Sequence, residues 1–170
     1  MSRLALALVA AAGLALDGAP ASIRPAPILI WNASASLPIG LYRLRPAEPL
    51  RIGETVAVRA PASLARFMAA RRYLPAGLPL LKHIAALPGQ SVCRFGRLVL
   101  IDGEPKAVAL ERDARGRPLP AWRGCRRLTP GSLFLLNPAA PASFDSRYFG
   151  PVGQGGLLGE AALAWRAPVR

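Results

Sequence analysis

The sequence has very few of the side chains that bind metals or act as ready nucleophiles. Its 170 residues include one histidine and two cysteines, which are too few for a convincing zinc site. A cysteine nucleophile is also disfavoured, because the single histidine, His83, follows Lys82 and would point to the opposite face of a strand. We therefore expect no metal and no cofactor.

Lysine is also scarce, with two lysines against twenty arginines. One of them, Lys82, lies in the apolar run from Leu78 to Leu87. Arginine keeps its charge at any biological pH, whereas a desolvated lysine can lose its proton and act as a base. The alternative is a lysine whose stem covers apolar surface while its amine stays in water.

Acidic residues number only nine, so the net charge is +13. Clustered arginines would suggest binding to nucleic acid, but these are scattered from Arg3 to Arg170 without a recognition-helix, finger or aromatic RNA-binding pattern. An anionic lipid surface is an equally good partner for diffuse positive charge. Charge alone does not decide between these two partners, and a secreted or nucleic-acid-binding module without chemistry stays open as one alternative.

Long apolar runs are also lacking, since the N-terminal run covers only the thirteen residues from Leu4 to Leu16. A helix of this length is too short to cross a hydrocarbon core of ~30 Å comfortably. It suits the apolar region of a signal peptide, and Ala19-Pro20-Ala21 loosely resembles a cleavage site. We expect residues 1–21 to be a membrane anchor or an uncleaved signal, and residues 22–170 to be an exported domain.

Export would place Cys93 and Cys125 in an oxidising compartment, where pairing is favoured. A disulfide between them would stabilise the fold by ~3–4 kcal/mol. Two free thiols are the alternative.

Proline and glycine total 34 residues, which disfavours a helical bundle and predicts a mainly β fold with short strands. A short basic helix is predicted over 61–73, ended by Pro75, and Asp102-Gly103 predicts a hairpin turn. Trp31 marks either a membrane interface or the core. The predicted strands cover 41–44, 55–58, 80–87, 98–101, 104–108, 133–136 and 157–165.

Two segments carry clustered hydroxyl groups. Residues 32–42 contain the pattern Ser-x-Ser-x-Pro-x-Gly-x-Tyr, which predicts an irregular turn that presents one hydroxyl beside its own N–H. Residues 143–151 place an aspartate, an arginine and two serines within five positions. Taken singly, the first is also typical of an ordinary loop and the second of a structural ion pair.

Together with the segment around Lys82, these motifs resemble the bacterial signal peptidase I family of Ser–Lys proteases. The resemblance is strongest to its conjugative-transfer branch, the TraF-type pilin maturation peptidases. It extends over about residues 30–165 in the same order and includes the segment from Gly116 to Cys125. It implies coiled antiparallel sheets, one short helix and an N-terminal hydrophobic helix.

The resemblance also implies a role for each matching side chain. Ser36 corresponds to the nucleophile and Lys82 to its general base. The Ser34 hydroxyl and the Ser36 N–H correspond to the oxyanion donors. Four further residues correspond to supporting positions: Ser143, which orients the lysine amine, and the brace formed by Asp145, Ser146 and Arg147.

The sequence departs from the wider family close to these positions. The usual Gly-Asp-Asn before the last motif is Leu136-Asn137-Pro138 here, without an aspartate, and His83 replaces the commoner arginine. These differences affect the bracing and not the Ser36 and Lys82 positions.

The implied function is a membrane-anchored serine endopeptidase in the bacterial inner membrane, with its catalytic domain in the periplasm. With this function we expect inner-membrane lipids and no nucleic acid as partners. The branch implies an exported pilin as substrate, released by water or cyclised by its own amine. A general type I signal peptidase that acts on many preproteins is the alternative within the same family.

Overall fold

The computed structural model describes residues 29–168, and β-strands dominate them. This confirms the mainly β prediction. The anchor predicted over residues 1–21 lies outside the described residues. Across residues 29–168, no helix combines the length and apolarity that crossing a membrane requires.

Eleven strands are present in this part of the chain. In chain order they are β1 (Leu29–Asn32), β2 (Gly40–Arg45), β3 (Thr55–Val58), β4 (Leu80–Ala86), β5 (Ser91–Phe95), β6 (Leu98–Ile101), β7 (Glu104–Val108), β8 (Gly124–Arg127), β9 (Ser132–Leu136), β10 (Val152–Gly153) and β11 (Leu157–Arg166). They form a seven-stranded sheet in the order β1-β2-β11-β3-β4-β9-β10 and a four-stranded sheet in the order β7-β6-β5-β8. All the strand pairs are antiparallel.

Two α-helices interrupt the strands, α1 (Ala62–Ala70) and the one-turn α2 (Ser146–Phe149). The helix predicted over 61–73 corresponds to α1, but it ends earlier than expected. Arg72 has a left-handed φ of 58°, which reverses the chain before Pro75 is reached. The predicted end at Pro75 is therefore wrong. The helix ends at Ala70, because the left-handed backbone of Arg72 cannot continue it.

The smaller sheet contains the predicted hairpin. Asp102 and Gly103 have φ values of 50° and 85°, which is the left-handed pair that a tight two-residue hairpin turn requires. Cys93 of β5 lies directly opposite Cys125 of β8, and the two form a disulfide.

The core that joins the two sheets consists of apolar side chains from both of them. Its buried members are Ala86, Val92, Val99, Ile101, Trp122, Leu128, Phe134 and Leu136. Trp31 is not part of the core, since it is 53% exposed and stacks on the 52% exposed Trp165 with ring centroids 5.9 Å apart. The core alternative for Trp31 is therefore wrong.

The position of β4 matters most for the site. It lies between β3 and β9, and its residue Lys82 pairs with Val56 of β3. Because β4 has a hydrogen-bonded neighbour on each edge, its side chains project from a rigid part of the sheet.

Candidate active site

Lys82 is buried in the middle of β4, with only 5% of its surface exposed. Its Nζ lies 2.8 Å from the Ser143 Oγ and 3.4 Å from the Ser36 Oγ. The first distance is a hydrogen bond. The second is longer than the usual N–H···O range, as is common for catalytic contacts before substrate binds.

Burial lowers the pKa of Lys82 from 10.5 to about 8. The negative charge of Asp145 opposes this shift, and the positive charge of Arg147 adds to it. Desolvation dominates because an ammonium loses its hydration when apolar side chains surround it. At pH 7 the neutral amine is then present in about one molecule in ten, against about one in a few thousand for a solvated lysine.

The Ser36 hydroxyl lies on the irregular turn between β1 and β2. The Ser34 Oγ is 2.8 Å from the Ser36 Oγ and accepts a hydrogen bond from the Ser36 N–H at 3.3 Å. The two groups that the resemblance assigns to the oxyanion therefore lie side by side. In this state they bond to each other, so a substrate oxygen would have to replace the contact between them.

The segment from Ser143 to Arg147 is buried, and its two charged groups face each other. Arg147 is 2% exposed, Asp145 is fully buried, and the closest nitrogen and oxygen of the pair are 2.8 Å apart. Burial alone would lower the pKa of Arg147, but the hydrogen bond and charge of Asp145 raise it overall. The guanidinium keeps its charge.

The same arginine holds the loop that leads to Ser143. Its guanidinium donates to the backbone carbonyl oxygens of Asn137, Ala140, Pro141 and Ser143. The Ser146 Oγ accepts from the Leu135 N–H at 3.0 Å. Among the described residues, no buried side-chain nitrogen or oxygen lacks a hydrogen-bond partner.

Two cavities meet at Ser36. The larger, of about 720 Å³, is lined by Ser36, Lys82, Ser143 and an apolar wall that includes Tyr73 and Phe144. The second, of about 600 Å³, is lined by Ser36 and contains Arg166 as the one formally charged residue among its described lining. A peptide that crosses Ser36 has space on both sides of the hydroxyl.

His83 projects from the opposite face of β4 and lines the second cavity. Its Nδ1 is 3.1 Å from both the Gly53 carbonyl oxygen and the Thr55 Oγ1. The histidine therefore connects β4 to the first residue of β3 and to the segment that precedes it. Within residues 29–168, no three histidine, cysteine, aspartate or glutamate side chains cluster as a metal site would require.

The structure thus brings Ser34, Ser36, Lys82 and Ser143 together, with Asp145, Ser146 and Arg147 directly behind them. It also adds two buried residues to which the motifs assign no role, Asn32 and Asn137. The signal that could have revealed them is rarity, because they are the only asparagines in the chain.

Comparison with known proteins identifies the family. Residues 1–166 match the family described as Signal peptidase, peptidase S26. The chain belongs to this family. Because the family is one of peptidases, the match supports a protease and confirms the resemblance drawn from the motifs.

Two relatives of this peptidase are conjugal transfer proteins. This chain is 38% identical over 170 residues to the conjugal transfer protein TraF of Agrobacterium fabrum, and the match covers 94% of each chain. It is also 38% identical over 141 residues to the probable conjugal transfer protein TraF of Sinorhizobium fredii, covering 76% of this chain and 73% of the relative.

A solved structure is also similar to this peptidase. It is the crystal structure of a signal peptidase I from Enterococcus faecalis, with 20% identity and a TM-score of 0.40. The match covers 68% of this chain and 98% of the other. At this score the likeness carries no weight in the assignment.

Proposed function

We propose that this family member is a serine endopeptidase of conjugative transfer, with Ser36 as nucleophile and Lys82 as general base. The observation that carries the proposal is the buried Lys82 amine, whose pKa is lowered to about 8 and whose Nζ is 3.4 Å from the Ser36 Oγ. A serine hydroxyl needs a neighbouring base before it can attack a carbonyl. Lys82 is a base of suitable pKa within reach.

In the acylation step, the neutral Lys82 amine removes the Ser36 proton while the Ser36 oxygen attacks the scissile carbonyl carbon. The resulting oxyanion accepts hydrogen bonds from the Ser36 N–H and the Ser34 hydroxyl, each worth ~3–4 kcal/mol in comparable sites. The C–N bond then breaks, and the Lys82 ammonium returns the proton to the leaving amine. Ser143 holds the amine in place by its 2.8 Å contact.

The acyl-enzyme is released by a second attack. Lys82 takes a proton from the incoming water or amine, the ester bond to Ser36 breaks, and the serine recovers its proton. Water gives a linear product, and an amine of the substrate itself gives a cyclic one. The cavities on both sides of Ser36 support an endopeptidase, since each half of a peptide substrate has its own space.

The names of the relatives support a substrate that belongs to conjugation, and the resemblance to the pilin maturation branch suggests an exported pilin precursor. The test uses the full chain in detergent with that precursor, read by mass spectrometry. We expect Ser36→Ala and Lys82→Arg each to lower processing by at least about a thousandfold. Lys106→Arg is the matched control and should leave processing unchanged.

The same spectra separate the two products, because a cyclic product is lighter than the linear fragment by one water. Normal processing by Ser36→Ala would disprove the proposal. Restored growth of a signal-peptidase-depleted cell would instead indicate a general signal peptidase.

The proposal includes a domain that lies on the outer face of the inner membrane. Trp31 of β1 and Trp165 of β11 support this part, because they are exposed and stack on each other across β2, and exposed tryptophans are typical of the lipid–water interface. We expect Trp31→Ala with Trp165→Ala to weaken binding to anionic vesicles. Phe95→Ala, an equally exposed aromatic change on the smaller sheet, should not.

A further inference from the structure

The chain contains only two asparagines, Asn32 and Asn137, and both are buried, at 7% and 1% exposure. Asparagine is usually found at the surface, and a buried amide is stable only when it is hydrogen-bonded. Each of these amides binds backbone groups in a segment that bears one member of the Ser36–Lys82 pair.

Asn137 holds β4 on both sides of Lys82. Its Oδ1 accepts a hydrogen bond from the His83 N–H at 3.2 Å, and its Nδ2 donates to the Leu81 carbonyl oxygen at 3.4 Å. These are the backbone groups of the two residues that flank Lys82. On the other edge of β4, Lys82 pairs with Val56. The backbone of Lys82 is therefore fixed between a neighbouring strand and one amide side chain.

A side chain is needed here because the neighbouring strand ends too early. Strand β9 stops at Leu136, and Pro138 has no N–H with which to continue the hydrogen-bond ladder. The Asn137 amide supplies one acceptor and one donor in place of the next backbone pair.

The backbone of Asn137 links the same point to the loop that carries Ser143. Its N–H donates to the Asp145 Oδ2 at 3.0 Å, and its carbonyl oxygen accepts from Arg147 at 3.3 Å. Arg147 in turn donates to the Ser143 carbonyl oxygen. Asn137 therefore connects the strand of Lys82 with the partner that orients its amine.

Asn32 holds the turn of Ser36 in a similar way. Its Oδ1 accepts from the Ser34 N–H at 3.0 Å. Its Nδ2 contacts the carbonyl oxygens of Ser34 at 2.9 Å, Pro38 at 3.0 Å and Leu37 at 3.2 Å. These acceptors lie on both sides of Ser36. A single amide therefore joins the backbone before Ser36 to the backbone after it.

We propose that Asn32 and Asn137 are positioning residues, Asn32 for the Ser36 hydroxyl and Asn137 for the Lys82 amine. The inference rests on the proposed function of that pair. An uncharged amide suits the Asn137 position, because a carboxylate close to Lys82 would favour the charged form of the amine. At the Asn32 position the amide supplies the N–H donors to three carbonyl oxygens that a carboxylate lacks. The charged groups that act on Lys82 are Asp145 and Arg147, and neither substitution below removes them.

The kinetic test compares Asn32→Ala, Asn137→Ala and the shape-matched Asn32→Asp and Asn137→Asp in the full chain. Misplacement of a catalytic group by about 1 Å can cost about a hundredfold in rate. We expect kcat to fall by about 10- to 100-fold while KM stays within about threefold. Gln90→Ala is the control, because that amide also accepts from a backbone N–H, but in the turn between β4 and β5, where its other partner is the Asp102 carboxylate.

A second measurement does not depend on activity. The chain has two lysines, so labelled lysine gives two NMR signals, with Lys106 as the internal reference. In Asn137→Ala the Lys82 titration should move up by at least about half a pH unit, because water gains access to the amine. In Asn32→Ala, hydrogen exchange should accelerate in the segment 33–39 and not elsewhere.

Three results would overturn the inference: unchanged kcat in the asparagine variants, a loss of kcat equal to that of Gln90→Ala, or an unmoved Lys82 titration in Asn137→Ala. If the Ser36→Ala protein still cleaves the precursor at the normal rate, the proposed function is wrong. The titration and the exchange then still decide whether the two asparagines position these side chains.

Discussion

The Lys82 amine donates a hydrogen bond to the Ser143 hydroxyl at 2.8 Å. A neutral amine has two N–H groups and one lone pair, so a bond to Ser143 fixes the direction of the lone pair. With this contact in place, Ser36 is the other hydroxyl within reach of the amine, at 3.4 Å. The orientation of the amine, the proposed base, therefore depends on a residue 61 positions away in the chain.

Replacing Ser143 with alanine tests this dependence. We expect kcat to fall by about 10- to 100-fold with little change in KM, because the base loses its orientation while the cleft remains. Steady-state kinetics on the precursor measure the change. Ser91→Ala, in the smaller sheet, is the control. Equal kinetics for Ser143→Ala and wild type would show that Ser143 does not orient the amine.

The pH dependence of kcat/KM should follow the Lys82 amine. The base acts only when it is deprotonated, and burial lowers its pKa to about 8. Activity should therefore rise with pH and level off above about pH 8. A pH profile of the full chain measures this, and a limb near the ordinary lysine value of 10.5 would contradict a buried base.

Removing the buried amine should stabilise the protein at neutral pH. Below about pH 8 the folded state must bury a charge that the unfolded state keeps in water, a cost of about 3 kcal/mol. Between about 8 and 10.5 the unfolded state binds the extra proton, so wild-type stability rises with pH across this window. We expect Lys82→Met to be more stable at pH 7 and to lose this advantage by pH 10.5.

Urea unfolding at several pH values measures that difference. Lys106→Met is the control, since Lys106 is exposed. A Lys82→Met protein that is less stable at pH 7 would mean that the lost contacts with Ser143 and Ser36 outweigh the burial of the charge.

Replacing Arg147 with lysine should destabilise the fold, even though the positive charge is kept. The planar fork of Arg147 serves Asp145 and four carbonyl oxygens at once, and an ammonium cannot reproduce that geometry. We expect Arg147→Lys to reduce the free energy of unfolding by about 2–4 kcal/mol, since buried groups lose their partners. Chemical denaturation measures this, with the exposed Arg112→Lys as control. A loss below about 1 kcal/mol would show that the fork is dispensable.

Much of the fold can be predicted from the sequence. The short apolar run at 55–58 and the longer one at 80–87 became β3 and β4, because alternating or continuous apolar residues between turns have few other ways to be buried. The Asp102-Gly103 turn formed as expected, since it depends on local backbone preference.

Strands β5, β8 and β10 were not predicted, and the sequence of β8 shows one reason. Strand β8 has the sequence Gly-Cys-Arg-Arg, and its last three residues are exposed, so it lacks an apolar pattern. It exists because β5 offers a free edge and Cys125 faces Cys93. Pairing with a distant strand is a tertiary effect that a local pattern does not encode.

The sequence by itself determined the chemical inventory: one lysine in an apolar run, two serines in a turn, and an aspartate and an arginine close to a third serine. Only the tertiary structure decided that these groups meet, since the Lys82 amine contacts side chains 46 and 61 positions away. The tertiary structure also decided that the amides of Asn32 and Asn137 bind the backbone around Ser36 and Lys82. The physical reason is that side-chain chemistry is a property of each residue, whereas distance and desolvation arise when separate strands pack together.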